Sequence, residues 1–138
     1  MISFYAFDVF ARPPETITLN ENAFAFAGQL ISTGHVIADG KGVWREDRRS
    51  ADEENEFIRR HGLAEYSKWH LGIDEGHPKN TKSRYKFPYG DFKILHRCGL
   101  LAVKGRARQY GYAEIETAAA QLEQAIRHKT ASINTRLR

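Results

Sequence analysis

The sequence predicts an α+β fold: a small N-terminal strand and hairpin layer with one helix, then a mostly helical C-terminal part ending in an antiparallel helix hairpin. Three observations carry this. Residues 2–10, ISFYAFDVF, are aromatic and β-branched, as strands are. Residues 20–34, NENAFAFAGQLISTG, repeat apolar side chains at helical spacing. Residues 92–128 hold two further amphipathic runs separated by Tyr110-Gly111-Tyr112.

The elements follow in order. Pro13 and Pro14 end the first strand, because proline donates nothing to a ladder. Ile17-Thr18-Leu19 is a short second strand. The helix after it places Ala23, Phe24, Phe26, Ala27, Leu30 and Ile31 on one face, with Asn20 or Asn22 as cap and Gly34 just past its end. HVIADGKGVW, residues 35–44, reads as a hairpin around Asp39-Gly40. Ser50 and Glu53 form a capping box for a helix over about 51–60. Gly62 breaks the chain, and LAEYSKWHL forms a second short helix ending near Gly72.

Residues 82–87 read as extended, with Lys82, Arg84 and Lys86 on one face and Tyr85 and Phe87 on the other. Pro88 ends that run, and Asp91 caps a helix over about 92–109. The last helix, about 113–128, buries Ile115, Ala118, Ala119, Leu122, Ala125 and Ile126. The chain reads as a single domain: an α/β part over 1–49, a mostly helical part over 50–130, and a frayed tail over 131–138.

Charge is unevenly divided. Residues 1–78 hold 8 basic against 13 acidic side chains, and residues 79–138 hold 13 against 4. A half this basic attracts polyanions, or else faces the acidic half. The single cysteine, Cys98, makes no internal disulfide. No apolar stretch approaches the ~20 residues of a membrane span, and Asp8 interrupts the N-terminal apolar run. The expectation is a soluble cytoplasmic protein with no membrane association.

On a helical wheel for 92–109, Lys93, Arg97, Lys104 and Arg108 fall on one stripe. Together with the Lys82/Arg84/Lys86 row they make a surface for an acidic partner or a nucleic acid, with Tyr85 or Tyr89 for base stacking. Arg106 falls near ~220° on that wheel, within the apolar arc, so the sequence predicts a buried ion pair with Asp74 or Asp91. His70, Asp74, Asp91 and His96 are the weak catalytic candidates, with either histidine as general base. No zinc spacing, P-loop or nucleophile motif occurs, so neither metal nor cofactor is expected, and Cys98 reads as an inert buried thiol.

The blocks HGLAEYSKWHLGID, RYKFPYGDFKILHRCGLL and RARQYGYAEIETAAAQL, over residues 61–126, carry a resemblance. They resemble a family of small uncharacterised bacterial proteins with the pattern WxLGID, YKFPYGDF, HR and RAxQY. More loosely, they are similar to segments attached to tailed-phage head-maturation proteases, which implies a phage or mobile-element origin. The matching positions include Trp69, Asp74, Tyr85, Pro88, Asp91 and Arg106. The resemblance implies that these six form a shared structural clamp, and it implies no activity. Lys104 and Arg108 depart from the pattern, and residues 1–48 lie outside it.

The leading functional expectation is a non-enzymatic interaction module whose basic half contacts an acidic partner. A DNA- or RNA-binding protein is the first alternative, and a small hydrolase with a His/Asp site the second. Homo-oligomerisation is left open.

Overall fold

Asn20 ends one element and begins the next. It follows β1 (Ile17–Leu19) and caps α1 (Glu21–Ser32), accepting from the Ala23 amide at 3.2 Å. Its own amide donates to the carbonyls of Ser67 and His70, both at 3.0 Å. One buried side chain thus fixes the start of α1 against the middle of the chain. The computed structural model that shows this describes residues 17–136. The strand read at residues 2–10 lies outside them.

The α+β class holds. β1 pairs antiparallel with β3 (His70–Asp74), which pairs antiparallel with β4 (Tyr85–Pro88), in the order β1-β3-β4. α1 buries Ala23, Ala27, Leu30 and Ile31 and stops before Gly34, whose φ is 84°. The capping box forms as read: Ser50 and Glu53 start α3 (Ala51–His61).

The hairpin expected at 35–44 does not form. β2 (Val36–Ile37) instead pairs in parallel with β5 (Leu95–His96), and α2 (Trp44–Asp47) replaces the returning strand. The cause is Asp39, whose carboxylate binds the Cys98 amide at 2.8 Å rather than its own turn. The second short helix is also cut back. α4 (Leu63–Ser67) ends early because Trp69, His70 and Leu71 are needed in and beside the central strand, where all three are buried.

Lys82–Arg84 is a 3₁₀ turn, so Lys82, Arg84 and Lys86 do not alternate along one extended face. The predicted helix start at 92 is corrected to Arg97. Asp91 Oδ1 accepts the amides of Lys93 and Ile94 at 3.0 and 2.7 Å, and Phe92 takes a φ of 72°. That turn sends the chain into β5 before α5 (Arg97–Tyr110) begins.

Gly111, with φ 81°, caps α5 in the left-handed conformation that suits glycine. α6 (Ala113–Arg136) then runs back along α5, and its last turns are helical where fraying was expected. It buries Ile115, Ala118, Ala119, Leu122 and Ile126, while Ala125 is exposed. The core joins α1, β3, β5, α5 and α6 around Leu71, Leu95, Leu100 and Ile115. Each such side chain contributes about 1.5–3 kcal/mol by leaving water. No described helix is long and apolar enough to cross a membrane.

Candidate functional site

Two features share Trp44. The first is a cluster of acids, an imidazole and a thiol. Asp39 comes from the loop after β2, Asp47 from the end of α2, His96 from β5 and Cys98 from the first turn of α5. The β2–β5 ladder and the turn at Asp91 bring them together. His96 Nδ1 lies 2.8 Å from Asp39 Oδ2 and 3.5 Å from Asp47 Oδ2, and its Nε2 lies 3.0 Å from Asp91 Oδ2. Cys98 Sγ lies 3.2 Å from Asp39 Oδ2 and 3.5 Å from Asp47 Oδ2.

Electrostatics follow from this crowding. Burial opposes a charge on His96, but hydrogen bonds to Asp91 and Asp39 outweigh it and hold its pKa above the ordinary value. Burial opposes the Asp39 and Asp91 charges too. Bonds from His96, and from the Cys98 amide and thiol or the Lys93 and Ile94 amides, keep both carboxyls below the usual range. Burial and then the two facing carboxylates push the Cys98 thiol strongly up. His96 is therefore held between carboxylates, Asp39 at Nδ1 and Asp91 at Nε2. Both its ring nitrogens are engaged, so neither is free to take a proton from a substrate.

The second feature is an open groove of about 380 Å³ whose lining includes Trp44, Arg48, Phe87, Arg106, Tyr110 and Tyr112. Lys86 also faces it. Among the described residues its wall carries three cations and no carboxylate. Phe87 holds a φ of 64°, an uncommon conformation for a bulky residue, and its ring meets Tyr112 edge-on at 5.9 Å. Tyr110 is 57% exposed, so its ring is open to a stacking partner. Trp44 links the two features, because its ring also lies 5.9 Å from the His96 ring.

The structure separates the residues singled out by sequence. Of the four catalytic candidates it joins only Asp91 and His96. His70 is buried with Nδ1 2.9 Å from the Tyr66 carbonyl, and Asp74 lies 3.6 Å from His77. The four-base stripe is dispersed. Lys93 sits in the Asp91 turn, and Arg97 and Lys104 reach the buried Glu123 at 2.9 and 3.6 Å, leaving Arg108 exposed. Lys82 pairs with Glu54 at 2.9 Å, and Arg84 donates to the His77 carbonyl.

The clamp reading is corrected at Arg106, which is exposed and makes no ion pair among the described residues. The wheel that placed it inside began in a segment that is not helical. The other clamp residues each hold a local contact. Trp69 packs edge-on against Phe26 and lies beside Tyr89 and Phe92, and Tyr85 donates to the Lys79 carbonyl. Pro88 ends β4, and Asp91 closes its turn. Asp39, Asp47 and Arg48 were missed. Asp39 was read as a turn former, and the spacing of His96 and Cys98 two residues apart was the only local hint.

No family model, no curated protein and no solved structure matches this chain.

Proposed function

We propose that this protein is a non-enzymatic binding module, and that the groove beside Trp44 takes an acidic partner, specifically single-stranded nucleic acid. The lining of the groove carries the reading. Arg48, Lys86 and Arg106 supply phosphate contacts, and Tyr110, Tyr112 and Phe87 supply flat apolar faces, with no acid among the described lining to repel an anion. Rings interleaved with cations are what a single strand requires, because every base has a face to stack and every nucleotide a charge to neutralise. An acidic peptide needs the cations but not the rings.

Fluorescence anisotropy with short single-stranded DNA and RNA, duplex DNA and poly-glutamate tests this at several salt concentrations. The expected result is binding to single strands that Arg48→Glu/Lys86→Glu/Arg106→Glu abolishes. Three neutralised phosphates give a log–log salt slope of about −2 on a single strand, at ~0.7 per contact. Equal binding of poly-glutamate would transfer the groove to an acidic protein partner. No binding at low salt, or binding that the folded triple variant retains, would overturn the reading.

A further inference from the structure

We propose that Asp39, Asp47, His96 and Cys98 bind one zinc ion, which fastens the segment 39–47 to the start of α5. The four ligand atoms all lie within 4.8 Å of one another. A tetrahedral zinc site spaces its nitrogen and oxygen ligands by about 3.3 Å and its sulfur and oxygen ligands by about 3.5 Å, from the usual metal–ligand bond lengths. The observed N···O separations are 2.8 and 3.5 Å, and the S···O separations 3.2 and 3.5 Å. These four separations bracket the tetrahedral spacings, and the remaining two lie within 4.8 Å. One thiolate, one imidazole and two carboxylates are donors that zinc accepts, and the sulfur disfavours magnesium and calcium.

The surrounding contacts fit the same assignment. A zinc-bound imidazole commonly gives its other N–H to a carboxylate, which fixes its tautomer and orientation. His96 Nε2 faces Asp91 at 3.0 Å in that way. The second oxygen of Asp39 is held by the Cys98 amide at 2.8 Å, leaving Oδ2 directed inward. Metal entry sends the Cys98 Sγ proton to solvent and takes His96 Nδ1 in its proton-free form, while Nε2 keeps a proton against Asp91. The shell then carries three negative ligand charges against two positive on the metal. The Arg97 guanidinium, 3.2 Å from the Asp39 carbonyl, lies beside that excess.

Four protein ligands make a structural rather than a catalytic site. The segment it holds has need of it. α2 is a four-residue helix with no side-chain cap, yet it carries Trp44 and leads into Arg48, both walls of the groove. The zinc assignment itself is independent of what the groove binds.

The test uses the full chain, loaded with zinc, passed into metal-free buffer and assayed for metal by mass spectrometry. One zinc per chain is expected. Cobalt substitution should give a thiolate-to-metal charge-transfer band that Cys98→Ser removes. Asp47→Ala, at a partly exposed position, should lose the metal while circular dichroism stays native. Asp91→Ala should weaken zinc affinity about 10- to 100-fold, as loss of an outer-shell partner does. A chelator should lower the melting temperature of wild type but not of Asp47→Ala. Folded wild type that takes up no zinc, or uptake unchanged in both Asp47→Ala and Cys98→Ser, would overturn the site and leave a hydrogen-bonded cluster in its place.

Discussion

Arg97 donates from α5 to Glu123 on α6 at 2.9 Å, and the Glu123 side chain is only 4% exposed. Lys104 and Arg127 converge on the same carboxylate at 3.6 and 3.1 Å. Burial opposes the Glu123 charge, but Arg127 and Arg97 overcome it and hold its pKa low. Its contribution is present above the ordinary carboxylate range and lost as pH falls through the lowered folded value. Lys104 and Arg127 are more than a third exposed, so solvent screens much of their share. Glu123→Ala should cost about 1–3 kcal/mol, since it leaves Arg97 half-buried without its acid. Double-mutant cycles in urea should find the largest coupling with Arg97.

Gly99 and Gly105 lie on the same helix and should respond in opposite senses. A Cβ at Gly99 would meet the Tyr89 carbonyl oxygen at 2.6 Å, which is backbone and cannot rotate away. Gly99→Ala should cost about 1–3 kcal/mol, as overpacking does. A Cβ at Gly105 would meet nothing within 4 Å, so Gly105→Ala should stabilise by about 0.5–1 kcal/mol through helix propensity. Paired urea midpoints that move together would refute the packing account.

Asp91 has two separable roles. Its Oδ1 holds the turn amides and its Oδ2 faces His96. Asp91→Asn retains an acceptor for the amides and removes the charge, whereas Asp91→Ala removes both. In metal-free protein Asp91→Ala should cost about 1–3 kcal/mol, the penalty of stranding hydrogen-bonding groups. Asp91→Asn should fall between it and wild type. Equal midpoints for the two variants would show that the turn amides contribute nothing.

His70 predicts a pH dependence. Burial lowers its pKa to about 4, the bond to the Tyr66 carbonyl opposes this, and Lys82 assists it. The unfolded chain takes up the proton near pH 6.5 and the folded chain only near 4, so stability falls as pH drops between those values. One proton sets an upper slope of about 1.4 kcal/mol per pH unit. His70→Asn, which can keep the donor to Tyr66, should lack that slope. A wild-type-to-variant difference constant from pH 7 to 4 would contradict a buried neutral imidazole.

What could be read from sequence was local. Ser50 and Glu53, Asn20, and Gly111 each state their role within four residues, and each has it. The α6 face was legible because its apolar side chains repeat over many turns. α5 was not, because its buried face includes Gly99, which has no hydrophobic weight in a periodicity count. Ile94 and Leu95, which belong to a turn and a strand, shifted the apparent apolar arc and carried Arg106 inside it. The acid, histidine and thiol cluster was hidden for another reason. Asp39 and His96 are far apart in sequence, and only the parallel β2–β5 pairing brings them together.

That pairing also bears on the order in which the chain folds. Val36 meets Leu95 across a loop on the order of 60 residues, whose closure costs about 3–4 kcal/mol in chain entropy plus a constant. A two-residue ladder cannot offset that alone, since each net hydrogen bond gives about 1 kcal/mol. It closes after the α5–α6 hairpin, whose contacts are near in sequence, has set β5 in place. Truncating Val36 should therefore quicken unfolding while leaving the rate of folding almost unchanged, which marks the segment 36–47 as the last part to arrive and the first to leave.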